Sequence, residues 1–263
     1  MNAVRRWLRS LYEAMELSSP GCLFCGRPLQ YRREQEPGLC LACQDRIAWV
    51  QGEVCPRCGK PLHGRDGPCA DCARRPVPFA FNRAVAVYDG IWKELILQFK
   101  FYGRRELARP LGWWMAGTAM RWGIRERAHA LVPVPLHPRR LERRGYNQAL
   151  ELAIQVRERT GVPVVEALAR TREPGGPQSL RQAAARRRSM RGAFVAWEPA
   201  LVEGLTLVVV DDVYTTGATL DAASRALLRA GAREVLGLVA AVGLTDLDLA
   251  DGGPEGGDGR GHP

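Results

Sequence analysis

Lysine is scarce in this sequence: of 38 basic residues only Lys60, Lys93 and Lys100 are lysines, so the positive charge is almost wholly arginine. No run of 18 apolar residues occurs, which excludes a membrane-spanning helix. The first twenty residues hold Arg5, Arg6 and Arg9, but Val4, Trp7, Leu8, Leu11 and Met15 are interleaved with polar residues. That pattern lacks the apolar stretch of a signal peptide, and a cytoplasmic location is the expectation. A G-x-x-x-x-G-K-[ST] loop is missing as well, which removes the P-loop nucleotidases. With 46% hydrophobic and 25% charged residues, the 263-residue chain has globular composition, enough for one ordinary domain and a small appendage.

The net charge of +10 understates the basicity. From Leu244 onward there are five acids (Asp246, Asp248, Asp251, Glu255, Asp258) and one base (Arg260), so removing that −4 leaves +14 on the body. Such an excess favours a polyanionic partner, either a nucleic acid or a polyphosphate ligand. An arginine excess also arises from genomic base composition alone, so charge does not decide the matter.

Four segments differ in composition. In residues 1–19 the apolar positions fall at helical spacing and predict an amphipathic helix. Residues 20–76 hold every cysteine, and from residue 80 to 243 strand-like apolar runs alternate with helical patterns. That alternation is the signature of an α/β fold with a parallel sheet and crossover helices. Strands are predicted near 83–88, 130–134, 205–210 and 234–242, with helices at 91–101, 105–122, 147–159 and 217–230. A loop rich in Arg, Pro and Gly is expected over 171–192. Residues 244–263, glycine-rich and acidic, read as a disordered tail.

The eight cysteines form four C-x-x-C pairs: Cys22/Cys25, Cys40/Cys43, Cys55/Cys58 and Cys69/Cys72. Two residues between thiolates place both sulfurs on one side of a tight turn, and two such turns complete a tetrahedral cage for zinc. Gly26 and Gly59 follow the second cysteine of their pairs, where a positive φ lets the turn close. A disulfide framework is the alternative, disfavoured in a reducing compartment. Some fifty residues with few large apolar side chains cannot stabilise themselves by burial, so two structural zinc ions would supply much of the folding free energy. Sequential pairing of the motifs is favoured over a cross-braced arrangement, which stays open.

The segment from Val208 to Thr219 reads VVVDDVYTTGAT. An apolar strand delivers Asp211 and Asp212, then Thr215, Thr216, Gly217, Ala218 and Thr219 turn into a helix. Backbone N–H groups, threonine hydroxyls and the positive end of the helix suit a phosphate monoester, while the two carboxylates suit vicinal sugar hydroxyls. A Walker B strand and a simply capped helix are the alternatives; the first lacks its partner loop.

This run resembles the phosphoribosyl-pyrophosphate (PRPP) motif of type I phosphoribosyltransferases, and residues 20–242 resemble the ComF family of competence proteins. Besides the cysteines and that motif, the match rests on Ala86 to Gly90 with Phe99 to Gly103, Val132 to Leu136 through Arg143 to Gln148, and Gln178 to Phe194. Ser189 and Arg181 depart from the family pattern, which has Asn and Leu there. The resemblance implies a type I phosphoribosyltransferase-like parallel sheet flanked by helices, joined to an N-terminal zinc module. It further implies that Val134, Pro135 and Leu136 form the pyrophosphate loop. Arg139 and Arg144, with Arg140 and Arg143, would supply positive charge beside it. Arg186, Arg187 and Arg188 would lie on a loop closing over PRPP, and Mg2+ would accompany the ligand.

Three functions fit these expectations. The first is cytoplasmic handling of incoming single-stranded DNA during natural transformation, with PRPP as ligand and a protein of the competence machinery as partner. Trp7, Trp49 and Tyr146 would then serve as stacking aromatics, although aromatics at such positions more often belong to a core. The second is a metabolic Mg-dependent phosphoribosyltransferase, for which the sequence offers no base-reading pocket, only the zinc module or residues 91–122 as a hood. The third is a non-catalytic PRPP-responsive regulator.

Overall fold

The computed structural model describes residues 21–29, 38–62, 64, 66–171, 190 and 192–244. The helix expected over 1–19, the Arg186 to Arg188 triplet and the acidic tail beyond Leu244 lie outside them.

Two short helices, α1 (Leu41–Gln44) and α2 (Ala70–Arg74), belong to the cysteine-rich segment. There follow β1 (Asn82–Val87), α3 (Gly90–Phe101), α4 (Ala108–Arg121), α5 (Ile124–Arg127), β2 (Ala130–Pro133), α6 (Pro138–Arg144) and α7 (Gln148–Thr160). The chain continues through β3 (Leu168–Arg170), β4 (Phe194–Ala196), β5 (Thr206–Tyr214), α8 (Ala218–Arg229) and β6 (Glu234–Val242). The main sheet has the order β1-β6-β5-β2 with every pair parallel, while β3 and β4 form a separate antiparallel pair.

The side-chain period of two explains how this sheet builds two cores. In β5, Val208 and Val210 face a core made with α3, α4 and α7, whereas Leu207 and Val209 face one made with α8 and β4. In α8, Leu220, Ala223, Ala226 and Leu227 are buried at helical spacing, so one stripe packs while the rest meets water.

Both sheet edges are covered. Beside β1, Val50 N donates to Val85 O (3.0 Å) and Val87 N to Ala48 O (2.8 Å), so the stretch between the cysteine pairs pairs with the edge strand. Beside β2, Leu131 N donates to Pro163 O (2.8 Å) and Val165 N to Leu131 O (2.9 Å). No strand edge is thus left open along these residues as a template for aggregation.

The structure departs from the sequence expectations at three places. Strand β5 runs on to Tyr214, because β6 stays alongside it as far as the Tyr214↔Val242 pair; the two aspartates therefore lie within the strand rather than after it. Residues 138–144 form a helix that starts on Pro138 and ends at the left-handed Gly145. The pair β3–β4 closes the base of the loop expected over 171–192.

Candidate functional site

Between β5 and α8 the chain passes through Thr215, Thr216 and Gly217, with Gly217 at φ +74°. A Cβ there would stand 2.5 Å from the Tyr214 hydroxyl, so both the turn and the packing require glycine. Among the described residues, the N–H groups of Thr215, Thr216 and Gly217 donate to no carbonyl. These three residues line a cavity of about 50 Å³ together with Thr219 and Asp211. Unengaged amides at the start of a twelve-residue helix, beside threonine hydroxyls, form a cradle for a tetrahedral anion.

Next to this cavity opens a cleft of about 760 Å³. Asp211 and Asp212 are on its wall, and five cationic side chains (Lys100, Arg140, Arg143, Arg144 and Arg170) face those two carboxylates. Lys100 Nζ is 2.6 Å from Asp212 Oδ1, while Asp212 Oδ2 is buried without a hydrogen bond. The Asp212 backbone N–H donates to Asp211 Oδ1 at 2.9 Å. Burial, and then the neighbouring Asp212 charge, push the Asp211 carboxyl up to about 7, with Lys100 acting in the opposite direction.

The stretch from Arg144 to Gln148 assembles the opposite wall. Gly145 ends α6, and the buried Tyr146 donates its hydroxyl to Phe99 O at the end of α3. Asn147 caps α7 through Ala149 N (3.1 Å) and also donates to Val134 O (3.1 Å). Gln148 accepts from Arg144, whose guanidinium lies 5.2 Å over the exposed Phe101 ring. A short sequence run thereby fixes α3, α6, α7 and the Val134 loop against one another.

Of the residues expected from sequence, Asp211, Asp212, Thr215, Thr219, Val134, Leu136 and Arg144 line this cleft, and Thr216, Gly217 and Ala218 line the adjoining cavity. Pro135 and Arg139 line neither; Arg139 is exposed on α6, whereas the half-buried Arg140 and Arg144, and the exposed Arg143, line the cleft. Sequence reasoning gave no role to Lys100, Tyr88 or Arg170. Lys100 carried a signal, as one of three lysines within a quoted motif, whereas Arg170 carried none. Of the expected stacking aromatics, Trp49 is partly buried against the core, with Trp92 (5.4 Å) and Trp114 (4.4 Å) as ring neighbours, and Tyr146 is buried; Trp7 lies outside the described residues.

The cysteines gather sequentially, as Cys22/Cys25/Cys40/Cys43 and Cys55/Cys58/Cys69/Cys72, with the four sulfurs of each group within 4.8 Å of one another. Cys25 and Cys40 sulfurs are 3.6 Å apart, as are those of Cys58 and Cys69. That is too long for a disulfide and close to the edge of about 3.8 Å that a tetrahedron with Zn–S bonds of about 2.3 Å requires. Backbone N–H groups of Cys58 (3.5 Å) and Cys69 (3.4 Å) point at Cys55 Sγ, as in a thiolate that holds metal. The donor set fits two structural zinc ions, with no position left for substrate.

Each cage is tied to a different side of the cleft. Asn82 Nδ2 donates to Cys58 O (2.9 Å), and a Cβ on Gly59 would stand 2.5 Å from Asn82 O, so the second ribbon sits directly on the start of β1. Arg75, just past α2, pairs with Asp221 in the first turn of α8. On the first ribbon, Leu23 O accepts from Arg104 (3.0 Å), shortly after Lys100 and Phe101.

Comparison with known proteins agrees with this construction. A double zinc ribbon domain model matches residues 16–73 and a phosphoribosyl transferase domain model residues 141–246. The chain is 35% identical over 233 residues to the DNA utilization protein YhgH of Escherichia coli O157:H7, covering 83% of this chain and 96% of that protein. It is 30% identical over 199 residues to competence protein ComFC of Bacillus subtilis (strain 168), covering 73% and 79% respectively. Competence protein F of Haemophilus influenzae is 29% identical over 219 residues, covering 81% and 93%. With paired cysteine cages set against a parallel sheet, and relatives that span most of its length, the chain belongs to the ComF family of competence and DNA-utilization proteins.

Proposed function

We propose that the cleft binds PRPP or a related phosphorylated ribose, and that the protein acts in handling incoming single-stranded DNA during natural transformation. The observation that carries the first half is the juxtaposition of unengaged amides at Thr215 to Gly217 with the Asp211–Asp212 pair. A 5-phosphate would occupy the amide cradle with help from Thr215, Thr216 and Thr219, and the ribose diol would meet the two carboxylates. Arg140, Arg143 and Arg144, with the Arg186 to Arg188 triplet, would attract the pyrophosphate. The buried free oxygen of Asp212 is a hard donor suited to Mg2+. When bound with the ligand, Mg2+ would neutralise part of the pyrophosphate charge. The second half draws on the names of the relatives and on the arginine-rich rim, where phosphate contacts would confer salt-dependent affinity.

Titration calorimetry with PRPP and Mg2+, repeated with Asp212→Asn, tests the ligand. Binding is expected in the parent and lost in the variant; no binding in zinc-replete parent protein refutes the reading. Affinity for a single-stranded oligonucleotide should fall steeply with salt and drop when Arg186 to Arg188 become Ala, yet survive Asp211→Asn.

A second reading, transfer of the ribosyl group to a base, is favoured by one feature: Phe101, 66% exposed at the lip of the cleft and faced by Arg144, offers a flat apolar surface. Pyrophosphate release on adding one member of a base panel would select it. PRPP binding without turnover on any base would select a regulator.

A further inference from the structure

The two cysteine cages are built alike but stand differently toward charge. In each, the carbonyl after the first cysteine accepts from an arginine of the sheet domain: Leu23 O from Arg104 (3.0 Å) and Pro56 O from Arg83 (3.3 Å). The side chain of Arg104 is one-third exposed and is matched by Glu106 at 2.7 Å. Arg83 is buried between the rings of Phe81 (4.6 Å) and Trp122 (4.2 Å) and has no carboxylate partner among the described residues. Burial pulls its pKa down, and the Cys55 and Cys58 thiolates oppose that pull. The second cage therefore has a buried cation at its knuckle, whereas the cation at the first is already neutralised.

Access to the sulfurs differs in the same direction. Cys55, Cys58 and Cys69 are buried, only Cys72 is half-buried, and the 3.6 Å contact between the Cys58 and Cys69 sulfurs is enclosed. In the first cage Cys22 and Cys43 are buried, but Cys25 is exposed, Cys40 is half-buried, and the 3.6 Å contact between their sulfurs is at the surface. The rate at which a thiolate attacks a disulfide depends on access and on its electron density. Outer-shell donors and cations withdraw that density, as the Cys58 and Cys69 N–H groups do at Cys55 Sγ. Both factors single out Cys25, with Cys40 beside it in the place of a resolving thiolate.

We propose that Cys25 and Cys40 are a site of oxidative modification, at which a small disulfide converts the first cage to a Cys25–Cys40 disulfide and frees its zinc while the second cage stays loaded. The Cys25 thiolate attacks the reagent: its S–S bond breaks, a mixed disulfide forms on Cys25, and one thiolate leaves. The Cys40 thiolate then attacks the Cys25 sulfur and expels the second thiolate. Two cysteine thiolates are thereby oxidised by two electrons, and the reagent is reduced to two thiolates. Only Cys22 and Cys43 remain as donors, too few to hold the metal. Excess thiol and zinc reverse the change. Because Cys22 and Cys43 share a core with Trp92, Leu95, Ile96 and Phe99, the helix that ends in Lys100 and Phe101 loses its backing when the first cage opens.

The test treats the full-length, zinc-loaded protein with dithiodipyridine and follows zinc with a chromogenic chelator, alongside peptide mapping of the disulfides formed. One equivalent of zinc is expected to leave about tenfold or more faster than the other, in step with a mapped Cys25–Cys40 link. The chelator alone should release neither at that rate. Equal rates for the two zinc ions, release first from the Cys55 cage, or a first disulfide between other cysteines overturns the proposal. So does equally fast loss without the disulfide reagent, which would mean simple dissociation. Cys25→His keeps a zinc donor and removes the exposed sulfur, so the fast phase should vanish; its persistence counts against Cys25. Arg83→Gln should raise the rate of the slow phase severalfold and leave the fast phase alone, with Arg83→Lys close to the parent. If either variant fails to load two zinc ions, the rates and the disulfide map of the parent decide by themselves.

Discussion

Replacing Arg75 with alanine tests whether the second zinc ribbon holds the phosphate cradle in place. Arg75 follows the helix that carries Cys72, and its partner Asp221 lies four residues after Gly217. Their side chains are 24% and 12% exposed, so the pair is neither a surface contact nor fully enclosed. Surface pairs contribute roughly 0–1 kcal/mol, whereas stripping one partner from a buried pair costs roughly 3–5 kcal/mol. An intermediate cost of about 2–3 kcal/mol follows for Arg75→Ala, reduced somewhat because Asp221 also sits in the favourable first turn of α8. Asp221→Ala should cost less, about 1 kcal/mol, because the freed guanidinium can reach water, and the double variant should resemble it. A double-mutant cycle by denaturant unfolding then returns a coupling of about 2–3 kcal/mol, the cost of Arg75→Ala itself. With both zinc ions retained, Arg75→Ala should also weaken PRPP severalfold, because the turn that presents the amides loses its anchor. A coupling below about 0.5 kcal/mol, or PRPP affinity unchanged within twofold, refutes the bracing argument.

Gly217→Ala should place a methyl against the Tyr214 hydroxyl in a left-handed conformation costing roughly 1–2 kcal/mol on its own, and PRPP affinity should fall by about tenfold or more while the far-ultraviolet spectrum persists. Retained affinity would mean that the cradle is not where the phosphate binds. Asp211 gives a pH signature of definite sign. Its carboxyl stays protonated in the folded chain until about 7 but ionises near 4 when unfolded, so stability falls as pH rises through that interval. Between pH 5.5 and 7 the parent should lose up to roughly 2 kcal/mol relative to Asp211→Asn, and parallel profiles would show that burial does not perturb the group.

What the sequence made legible follows from the range of the signals involved. The C-x-x-C pairs, the apolar run of β5 and the glycine after the paired threonines are local, since each encodes its geometry within a dozen residues. Their placement and the parallel sheet could be read without coordinates. The Lys100–Asp212 pair joins residues more than a hundred positions apart, and Arg75–Asp221 spans nearly 150, so no pattern along the chain announces either. The length of β5 was misjudged because charge at Asp211 and Asp212 looks like a strand end, whereas pairing with β6 overrides that preference. Trp49 shows the converse: an aromatic in the cysteine-rich segment looks like a platform until Trp92 and Trp114 pack against it. Which of the arginines between 139 and 144 reach the cleft depends on a helix that begins at Pro138, and the pattern along the chain did not announce that helix.

The way the two ribbons attach bears on why a zinc module is joined to this sheet at all. Cys22, Leu39, Cys43 and Ile47 share a core with Trp92, Leu95, Ile96 and Phe99, so the first cage backs the helix that presents Lys100 and Phe101. Cys55, Cys58 and Cys69 share the other core with Phe79, Tyr214, Ala218 and Leu220, so the second cage backs the phosphate turn. The edge-on packing of Phe79 against Tyr214, with ring centroids 6.3 Å apart, carries that support to within one hydroxyl of Gly217. Ribbons of this size owe their fold to metal. One wall of the cleft is therefore conditional on the first zinc and the other on the second, and neither ribbon is a detachable appendage.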